Sequence, residues 1–511
     1  MVKKHFDTWS KMPTTKMVYE DKKPNSIEDM PITDYEDYPI LLSFREKIEE
    51  MVKSKPRKEG ELWHDYYEEL LGGMSNLFEG YMPDKPSMCV KTTGTVSGSK
   101  WIVHGEKFKD EIISDSIAIV LMGCSKKWGD KIFDKRLNAF SLVAPVPYLS
   151  GWALRSWGRL VDFVPPISVA DQISDMGKKL YITLKEIEKG TKIHLVGGSG
   201  ALLYMVCKYF SDPEFFLKES YAVTSSPLKK MLILLKLMLT KFEGKKRGSL
   251  IEIMPLKGVV IGSTDANVYA EFFEKEFGVE PINSYAATEL GCAMFGRPDR
   301  KLDFFPNIKS VYQEFLDKDG YIKKISEVKR GHTYELIATP FHSMLVRYRI
   351  GDLFKVTNFY DGMPVFSFEG RTCMVLEVCG YYRVTEDCMA KTLVNAGFRA
   401  SDRWAVTRTL KPREHLLVLF EKEWPVSERQ AEKLIFGSLL SSSSEFQSYV
   451  KDFNISDPSD AIKVEFLEKG AFTRYAIKQA KKNMPLGQYK PPKIITPERQ
   501  HVLDELRSKG T

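Results

Sequence analysis

The chain has 511 residues, 43% hydrophobic and 28% charged, which is enough for two or three domains with large cores. Its net charge of +7 is a small excess of 75 basic over 68 acidic residues spread along the chain. Nucleic-acid-binding proteins concentrate positive charge, so we expect no nucleic-acid partner. Seven cysteines without a C-x-x-C pair, and eight scattered histidines, argue against a disulfide framework and a zinc site.

The N-terminal stretch MVKKHFDTWSKMP (1–13) lacks the apolar core of a secretory signal, so we expect a cytoplasmic protein. The longest apolar run, LKKMLILLKLMLTKF (228–242), is interrupted by Lys236. A bilayer span needs about 20 apolar residues. We therefore predict a soluble helix after Pro227 and no membrane insertion.

Helical and strand patterns alternate through the first half of the chain. Helical periodicity occupies 43–82, and a further helix is predicted at 265–278. Buried strands are predicted at 116–123, 192–198, 249–264 and 279–289. This alternation indicates an α/β fold. Ligands of such folds gather beyond the carboxyl ends of the strands, where GGSG (197–200), GST (262–264) and AATE (286–289) would lie.

The pattern changes in the second half. Closely spaced strands from about residue 310 predict a meander packed against the sheet. A new α+β pattern follows, with helices at 387–397 and 427–442, strands at 404–410 and 415–422, and a loop at 441–460. We therefore predict two domains, 1–370 and 371–511, the second large enough to form its own core.

The stretch SMCVKTTGTVSGSKWIVHG (87–105) holds a polar loop between two β-rich runs. Its glycines would let backbone N–H groups approach a ligand, and its hydroxyls and Lys100 suit phosphate oxygens. It is not a Walker loop, because Gly94 and Gly98 are one position too close and Ser99 precedes the lysine. A polyphosphate-binding strand–loop–strand and a plain Ser/Thr-rich hairpin both fit.

Three later stretches carry polar groups that could complete a nucleotide site. SYAATELG (284–291) offers Tyr285 as an aromatic face, Thr288 as a hydroxyl and Glu289 as a magnesium ligand. RYRIGDLFKV (347–356) places Asp352 after a turn, where a carboxylate could bind ribose hydroxyls. GQYKPPK (487–493) brings Lys490 into a loop. Taken singly, each also fits an ordinary surface or turn residue.

Together, in this order and at these separations, the motifs resemble the ANL superfamily of adenylate-forming enzymes, and within it the auxin-responsive Gretchen Hagen family of acyl acid amido synthetases. The likeness covers about 85–493 and rests on DFFPNIKSVYQEFLD (303–317), GHTYELIATPFHSMLVRYRIGDLFKV (331–356), PVFSFEGR (364–371) and GQYKPPK. It implies an α/β fold with a large N-terminal adenylate-forming domain, built of mixed sheets, helices and a small β-barrel-like meander. A smaller, mobile α+β domain would close over it.

The resemblance also implies roles for individual residues. The phosphates would be bound by Thr92, Thr93, Thr95 and Lys100, and Tyr285 would stack on adenine beside the loop of Gly262 and Ser263. Asp352 would bind the ribose, and Arg371 would assist from the domain junction. The other residues expected to bind ATP are Gly94, Ser97 and Ala287. The catalytic groups would be Thr288 at the α-phosphate, Glu289 on Mg²⁺, and Lys490 from the C-terminal domain.

This sequence departs from the family pattern at two places. The first motif is one residue shorter than the amido synthetase form, and it has Ser97 where the wider superfamily usually has glycine. Met374 stands where many superfamily members have a hinge aspartate or lysine.

The resemblance implies a monomeric ligase that uses ATP and Mg²⁺ to convert a carboxylic acid to an acyl-adenylate, and then transfers the acyl group to an amino acid or another amine. The alternative is a phenylacetate-type ligase that uses coenzyme A as co-substrate and forms a thioester. A non-catalytic nucleotide-binding scaffold is a third reading. The mainly apolar segment LVGGSGALLYMV (195–206) favours an aromatic or aliphatic acid.

Overall fold

The computed structural model describes residues 2–12, 24–92, 100–130, 136–170, 172–173, 176–198, 200, 203–204, 206–207, 250–262, 266–372, 376–378, 382–399, 402–409, 414–421, 426–480, 493–496 and 499–508. Within these residues the α-helices are α1 (Val2–Trp9), α2 (Pro39–Ser54), α3 (Trp63–Gly72), α4 (Glu106–Cys124), α5 (Leu149–Trp157), α6 (Ile167–Ala170), α7 (Met176–Glu188), α8 (Leu250–Ile253), α9 (Ala266–Phe277), α10 (Glu386–Asn395), α11 (Glu428–Ser442), α12 (Ser444–Asp452), α13 (Ala471–Ala480) and α14 (Gln500–Arg507).

The strands of the same residues are β1 (Pro86–Lys91), β2 (Trp101–Gly105), β3 (Leu137–Leu142), β4 (Val161–Phe163), β5 (Leu195–Gly198), β6 (Gly258–Ile261), β7 (Ile282–Ala287), β8 (Gly291–Arg297), β9 (Arg300–Pro306), β10 (Val311–Leu316), β11 (Ile322–Lys324), β12 (Thr333–Pro340), β13 (Tyr348–Tyr360), β14 (Met363–Arg371), β15 (Leu376–Val378), β16 (Tyr382–Val384), β17 (Trp404–Thr409), β18 (His415–Glu421), β19 (Ile462–Leu467) and β20 (Ile494–Ile495).

One large mixed sheet carries most of the N-terminal part. Its strand order is β11-β10-β12-β13-β14-β9-β8-β7-β6-β5-β3-β4. The strands from β4 to β7 run parallel to their neighbours, whereas those from β7 to β11 are antiparallel. The predicted α/β class with mixed sheets, helices and a meander is therefore confirmed, and the meander continues the parallel sheet through β8 and β9.

The antiparallel half of this sheet curls on itself. Four strand-to-strand steps separate β13 from β7, and in a flat sheet these steps would place the two strands about 19 Å apart. Yet the Tyr285 hydroxyl on β7 lies 2.5 Å from the Asp352 carboxylate on β13. The curl encloses an aromatic core that includes Tyr285, Phe304, Phe315, Phe354 and Phe366. The end of the parallel sheet and the start of the meander thus share one interior.

The polar loop of the sequence joins two paired strands, as predicted. β1 and β2 are antiparallel, with Lys91 opposite Trp101. β2 then runs directly into α4, so the strand predicted at 116–123 is wrong. Buried positions such as Phe108, Ile112, Ser116 and Ile119 recur every three or four residues, which is the spacing of a helix face. The run 116–123 is only the apolar end of that helix.

Two further sequence predictions also need correction. The strand predicted over 249–264 begins with the short helix α8, and only Gly258–Ile261 is extended. The loop predicted at 441–460 contains α12. Ser443 caps that helix, because its hydroxyl accepts a hydrogen bond from the Phe446 N–H at 3.1 Å. Ser443, which was predicted to lie in a loop, is therefore the N-cap of a helix.

Residues from 376 onward form a second set of elements. A four-stranded sheet of order β19-β18-β17-β20 is covered by helices, and β15 pairs with β16 beside it. The apolar clusters of this part draw only on residues from 376 to 506. The exact domain boundary at residue 370 stays a prediction.

No helix in the described ranges is both long and apolar enough to cross a membrane. The apolar run 228–242 lies outside the described residues.

A buried ion pair ties the N-terminal segment to the start of β13. The Arg347 guanidinium donates to both carboxylate oxygens of Glu314, at 2.8 and 2.9 Å. Its remaining nitrogen donates to the backbone carbonyls of Glu28, at 2.9 Å, and Met30, at 2.5 Å. Both side chains are buried. The pair therefore fixes the backbone immediately before Tyr348, which lies in the candidate site.

We predict that Glu314→Ala lowers the free energy of unfolding by about 3–5 kcal/mol, because it leaves the Arg347 charge buried without its partner. The matched control is Glu335→Ala, which breaks the equally bidentate pair with Arg349. The Arg349 side chain is 50% exposed and can be hydrated, so the control should cost about 1 kcal/mol or less. Urea unfolding of both variants measures the difference, and equal losses would contradict this account.

Candidate active site

The centre of the candidate site is the carboxylate of Asp352 on β13, which is 1% exposed. Its Oδ2 accepts a hydrogen bond from the Tyr285 hydroxyl at 2.5 Å. Its Oδ1 lies 2.6 Å from Nε of Arg371, whose side chain is 40% exposed. Asp352 and Arg371 are directly opposite each other in the β13–β14 register. The structure thus brings together three of the residues that were predicted to bind ATP.

The backbone conformation explains why a glycine stands at position 351, in the Y-R-x-G-D motif at 348–352. Gly351 has φ of +81°, a backbone conformation that side chains with a Cβ rarely adopt. A Cβ at this position would also meet the Thr372 hydroxyl at 3.2 Å. The unusual backbone at Gly351 sets the position of the next residue, Asp352. The motif therefore encodes a local geometry as well as a set of functional groups.

Tyr285 occupies an enclosed position. Its ring packs edge-on to Phe354 with 4.8 Å between centroids, and lies nearly parallel to Phe368 at 6.3 Å. Burial, and then the negative charge of Asp352, raise the pKa of the Tyr285 hydroxyl well above its usual value. The hydroxyl therefore remains a hydrogen-bond donor to Asp352 across the physiological pH range.

The second acidic group is Glu289, in the turn that follows β7. Its side chain is 8% exposed, and burial raises the pKa of the carboxyl. The positive charges of Lys100 and Arg371 act in the opposite direction. The two nearby cations therefore offset only part of the effect of burial on the Glu289 carboxyl. A buried carboxylate of this kind fits a divalent cation, which would offset the cost of its burial.

Lys100 comes from the far end of the polar loop and reaches the same region. Its Nζ donates to the Tyr348 hydroxyl at 3.2 Å and lies 5.3 Å from the centroid of the Tyr35 ring. The Lys100 backbone N–H donates to the Thr92 hydroxyl at 2.8 Å, and the Thr92 N–H donates to the Lys100 carbonyl at 2.9 Å. These two bonds close the base of the loop and direct the lysine toward Tyr348 and Glu289.

The remaining predicted residues are located as follows. Ala287 is the last residue of β7, and Thr288 follows it, both partly exposed. Gly262 follows β6, is exposed, and donates its N–H to the Gly198 carbonyl at 3.2 Å. The predictions that lie outside the described residues are Thr93, Gly94, Thr95, Ser97, Ser263 and Lys490, together with the hinge position Met374.

Two residues of this region were missed by sequence reasoning. Tyr348 lies in the Y-R-x-G-D stretch itself, and only its contact with Lys100 distinguishes it from a core tyrosine. His104 was treated as one of eight scattered histidines, yet its Nε2 lies 2.9 Å from the Thr288 carbonyl oxygen. No sequence signal links two residues 184 positions apart.

The arrangement combines two buried carboxylates, Asp352 and Glu289, with two cations, Lys100 and Arg371. Lys100 suits phosphate oxygens, the Asp352–Arg371 pair suits a sugar diol, and Glu289 suits a metal ion. The groups come from the residue before β2, the turn after β7, β13 and β14. This set can bind and polarise a nucleoside triphosphate.

Comparison with solved structures identifies the fold. The solved structure of the AtGH3.15 acyl acid amido synthetase in complex with 2,4-DB aligns with 99% of this chain and 93% of its own, with a TM-score of 0.65 and 16% identity. A second structure of the GH3.15 acyl acid amido synthetase gives a TM-score of 0.66 at 18% identity, covering 99% and 91% of the two chains. The chain therefore has the fold of these acyl acid amido synthetase structures.

Sequence comparison finds matches to one family. Residues 304–371 match the GH3 family central domain. The indole-3-acetic acid-amido synthetase GH3.15 of Arabidopsis thaliana is 43% identical over 14% of this chain and 11% of its own length. The 4-substituted benzoates-glutamate ligase GH3.12 of the same plant is 39% identical over 16% and 14%. The resemblance to the Gretchen Hagen (GH3) family predicted from the sequence is confirmed.

The sequence alignments are short. The jasmonoyl--L-amino acid synthetase JAR6 of Nicotiana attenuata aligns at 24% identity over 40% of this chain and 37% of its own length. The matched parts thus span between 11% and 37% of these three curated relatives.

We predict that Tyr285 and Asp352 are energetically coupled through their hydrogen bond. Tyr285→Phe and Asp352→Asn should each destabilise the protein by about 1–3 kcal/mol, because each disrupts a buried bond to a charged group. The double variant should lose less than the sum, with a coupling of about 1 kcal/mol or more. Denaturant unfolding of the four proteins measures this coupling, and strict additivity would show that the bond has no energetic role.

Proposed function

We propose that the protein is an ATP-dependent, AMP-forming acyl acid amido synthetase. The observation that supports this most strongly is the convergence of Lys100, Glu289, Asp352 and Arg371 within the fold of this family. Structural packing alone does not require charged groups from four separate elements to share one partly buried region. Binding of a nucleotide would use all four charged side chains.

The proposed reaction has two steps. A carboxylate oxygen of the acid attacks the α-phosphorus of ATP, a new O–P bond forms, and pyrophosphate leaves with the electrons of the broken bond. An amine then attacks the acyl carbon, its C–O bond to AMP breaks, and the nitrogen loses a proton. The products are an amide, AMP and pyrophosphate. ATP supplies the driving force, so no oxidant or reductant is needed.

The chain's residues would act mainly by positioning and by electrostatics. Asp352 and Arg371 would hold the ribose, and Tyr285 would orient the Asp352 carboxylate. Access of an adenine to the enclosed Tyr285 ring would require rearrangement around it. Lys100 would face the phosphates. The Thr92 hydroxyl would donate a hydrogen bond to them, and the loop residues that would surround them are Thr93, Gly94, Thr95 and Ser97.

A magnesium ion fits the Glu289 carboxylate, because burial raises its pKa and nearby cations only partly offset this effect. When bound, Mg²⁺ supplies positive charge that neutralises phosphate oxygens. Thr288, one residue earlier, would offer its hydroxyl to the α-phosphate. Gly262 and Ser263 would border the adenine, and Ala287 would line the same cleft.

The part of the chain after residue 370 would close over the nucleotide and exclude water from the acyl-adenylate. Its apolar clusters are formed from its own residues, which supports independent movement. Lys490 would enter the site on closure. We also retain the predictions of a monomer and of a cytoplasmic location.

We propose an amino acid as the acceptor. The curated relatives are named as amido synthetases, as a benzoates-glutamate ligase and as an amino acid synthetase. These names give no support to coenzyme A as a co-substrate. An aromatic or aliphatic acid remains the proposed acyl substrate, since β5 ends in small and apolar residues.

We predict carboxylate-dependent exchange of labelled pyrophosphate into ATP when the full chain is assayed with a panel of aromatic and aliphatic acids. Glu289→Gln, which keeps the shape of the side chain, should lower exchange at least about 100-fold by removing the charge for magnesium. Glu335→Gln is the matched control, because this buried acid pairs with Arg349 in the meander, and its exchange should stay near wild type. ATP binding without exchange for any acid would favour the scaffold reading, and equal exchange by Glu289→Gln would contradict the role of this residue.

The acceptor has its own test. With an acid that supports exchange, we expect AMP release to accelerate when amino acids are added, and mass spectrometry should detect the amide. Addition of coenzyme A should not accelerate AMP release, which should continue at the rate at which water hydrolyses the acyl-adenylate. A thioester product in place of the amide would overturn the amido synthetase assignment while keeping the adenylation step.

A further inference from the structure

His104 lies on β2, four residues after Lys100, and is fully buried. Its Nε2 is 2.9 Å from the backbone carbonyl oxygen of Thr288. A carbonyl oxygen only accepts hydrogen bonds, so Nε2 carries the hydrogen and donates it. The bond links the strand that leaves the polar loop to the turn that presents Glu289.

The imidazole is held in one orientation. Its ring stacks on Phe108 with 3.7 Å between centroids and 5° between planes. Burial lowers the pKa of His104 to about 4, so the ring is neutral at physiological pH. The second ring nitrogen, Nδ1, is buried and has no hydrogen-bond partner among the described residues. Within that part of the chain, the hydrogen bond of the ring is the one to Thr288.

That contact acts on the peptide unit between Thr288 and Glu289. The carbonyl of this peptide accepts from His104, and its N–H belongs to Glu289. The peptide unit is planar, so the hydrogen bond to its carbonyl also fixes the direction of the Glu289 backbone nitrogen. Rotation of this plane would move the Glu289 backbone and, with it, the carboxylate.

Packing leaves little freedom around this turn. Gly291, two residues after Glu289, has φ of +70°. A Cβ at Gly291 would lie 2.7 Å from Ile112 and 3.1 Å from Phe108, the residue on which His104 stacks. The turn therefore sits directly against the histidine and its support.

We propose that His104 is a positioning residue that orients the Thr288–Glu289 peptide and thereby sets the geometry of the magnesium ligand. The inference rests on the proposed function, because it gives the Glu289 carboxylate a metal to hold. His104 itself touches neither the nucleotide nor the metal. A packing role would require only the ring's volume, whereas the positioning role requires its Nε2–H donor.

Two amide variants separate these roles. In His104→Gln the side-chain NH₂ can reach the position of Nε2, whereas in His104→Asn it is one methylene shorter and matches Nδ1 instead. The experiment measures binding of ATP to the full chain by calorimetry across a series of Mg²⁺ concentrations, after circular dichroism and thermal unfolding show that each variant is folded. The Mg²⁺ concentration at half-maximal ATP binding is the readout.

We expect His104→Asn to raise the half-maximal Mg²⁺ concentration about tenfold, since it loses one oriented hydrogen bond. His104→Gln should restore it to within about threefold of wild type by keeping the donor. Wild-type values in both variants would overturn the inference, and equal weakening in both would overturn it in favour of packing. A wild-type chain that binds no ATP at any Mg²⁺ concentration would overturn the proposed function and this inference together, which distinguishes that failure from the others.

Discussion

The architecture of the candidate site depends on the buried carboxylate of Asp352. A charge that is almost fully removed from water is costly unless it is paired and hydrogen-bonded. Tyr285 supplies a hydroxyl from β7, and Arg371 supplies a guanidinium from β14. To bring both donors to one carboxylate, the antiparallel strands between β7 and β13 have to curl. The pairing of the Asp352 carboxylate with Tyr285 and Arg371 is thus linked to the curled shape of the sheet around it.

This constraint also explains why groups from remote parts of the sequence share one region. The start of β13 is anchored by the buried Arg347–Glu314 pair, and the next residue, Tyr348, receives Lys100. Lys100 closes the base of the polar loop through its bonds with Thr92. The base of the loop at Thr92 and Lys100, the start of β13 and the turn after β7 are therefore held in one region by direct contacts. Such preorganisation lowers the cost of orienting phosphates.

Much of the fold and of the site could be predicted from sequence, and the failures have physical reasons. The ordered set of motifs predicted the resemblance to the GH3 family, although each motif taken alone is weak. The strand predicted at 116–123 failed because an eight-residue apolar run does not reveal whether it ends a long helix. The helix at Ser444–Asp452 was missed because serine caps resemble loop residues. The contacts of Tyr348 and His104 depend on long-range geometry that local patterns do not contain.

The most direct test of the proposed acyl-adenylate intermediate traces a carboxyl oxygen of the acid into the products. The acid, labelled with ¹⁸O in its carboxyl group, is incubated with the enzyme, ATP, Mg²⁺ and an amino acid, and the nucleotide product is analysed by mass spectrometry. Attack of the carboxylate on the α-phosphorus followed by amide formation leaves one carboxyl oxygen in the phosphate of AMP, and this labelled AMP is the result we predict. ADP with label in inorganic phosphate, or amide formation with unlabelled AMP, would contradict an acyl-adenylate intermediate.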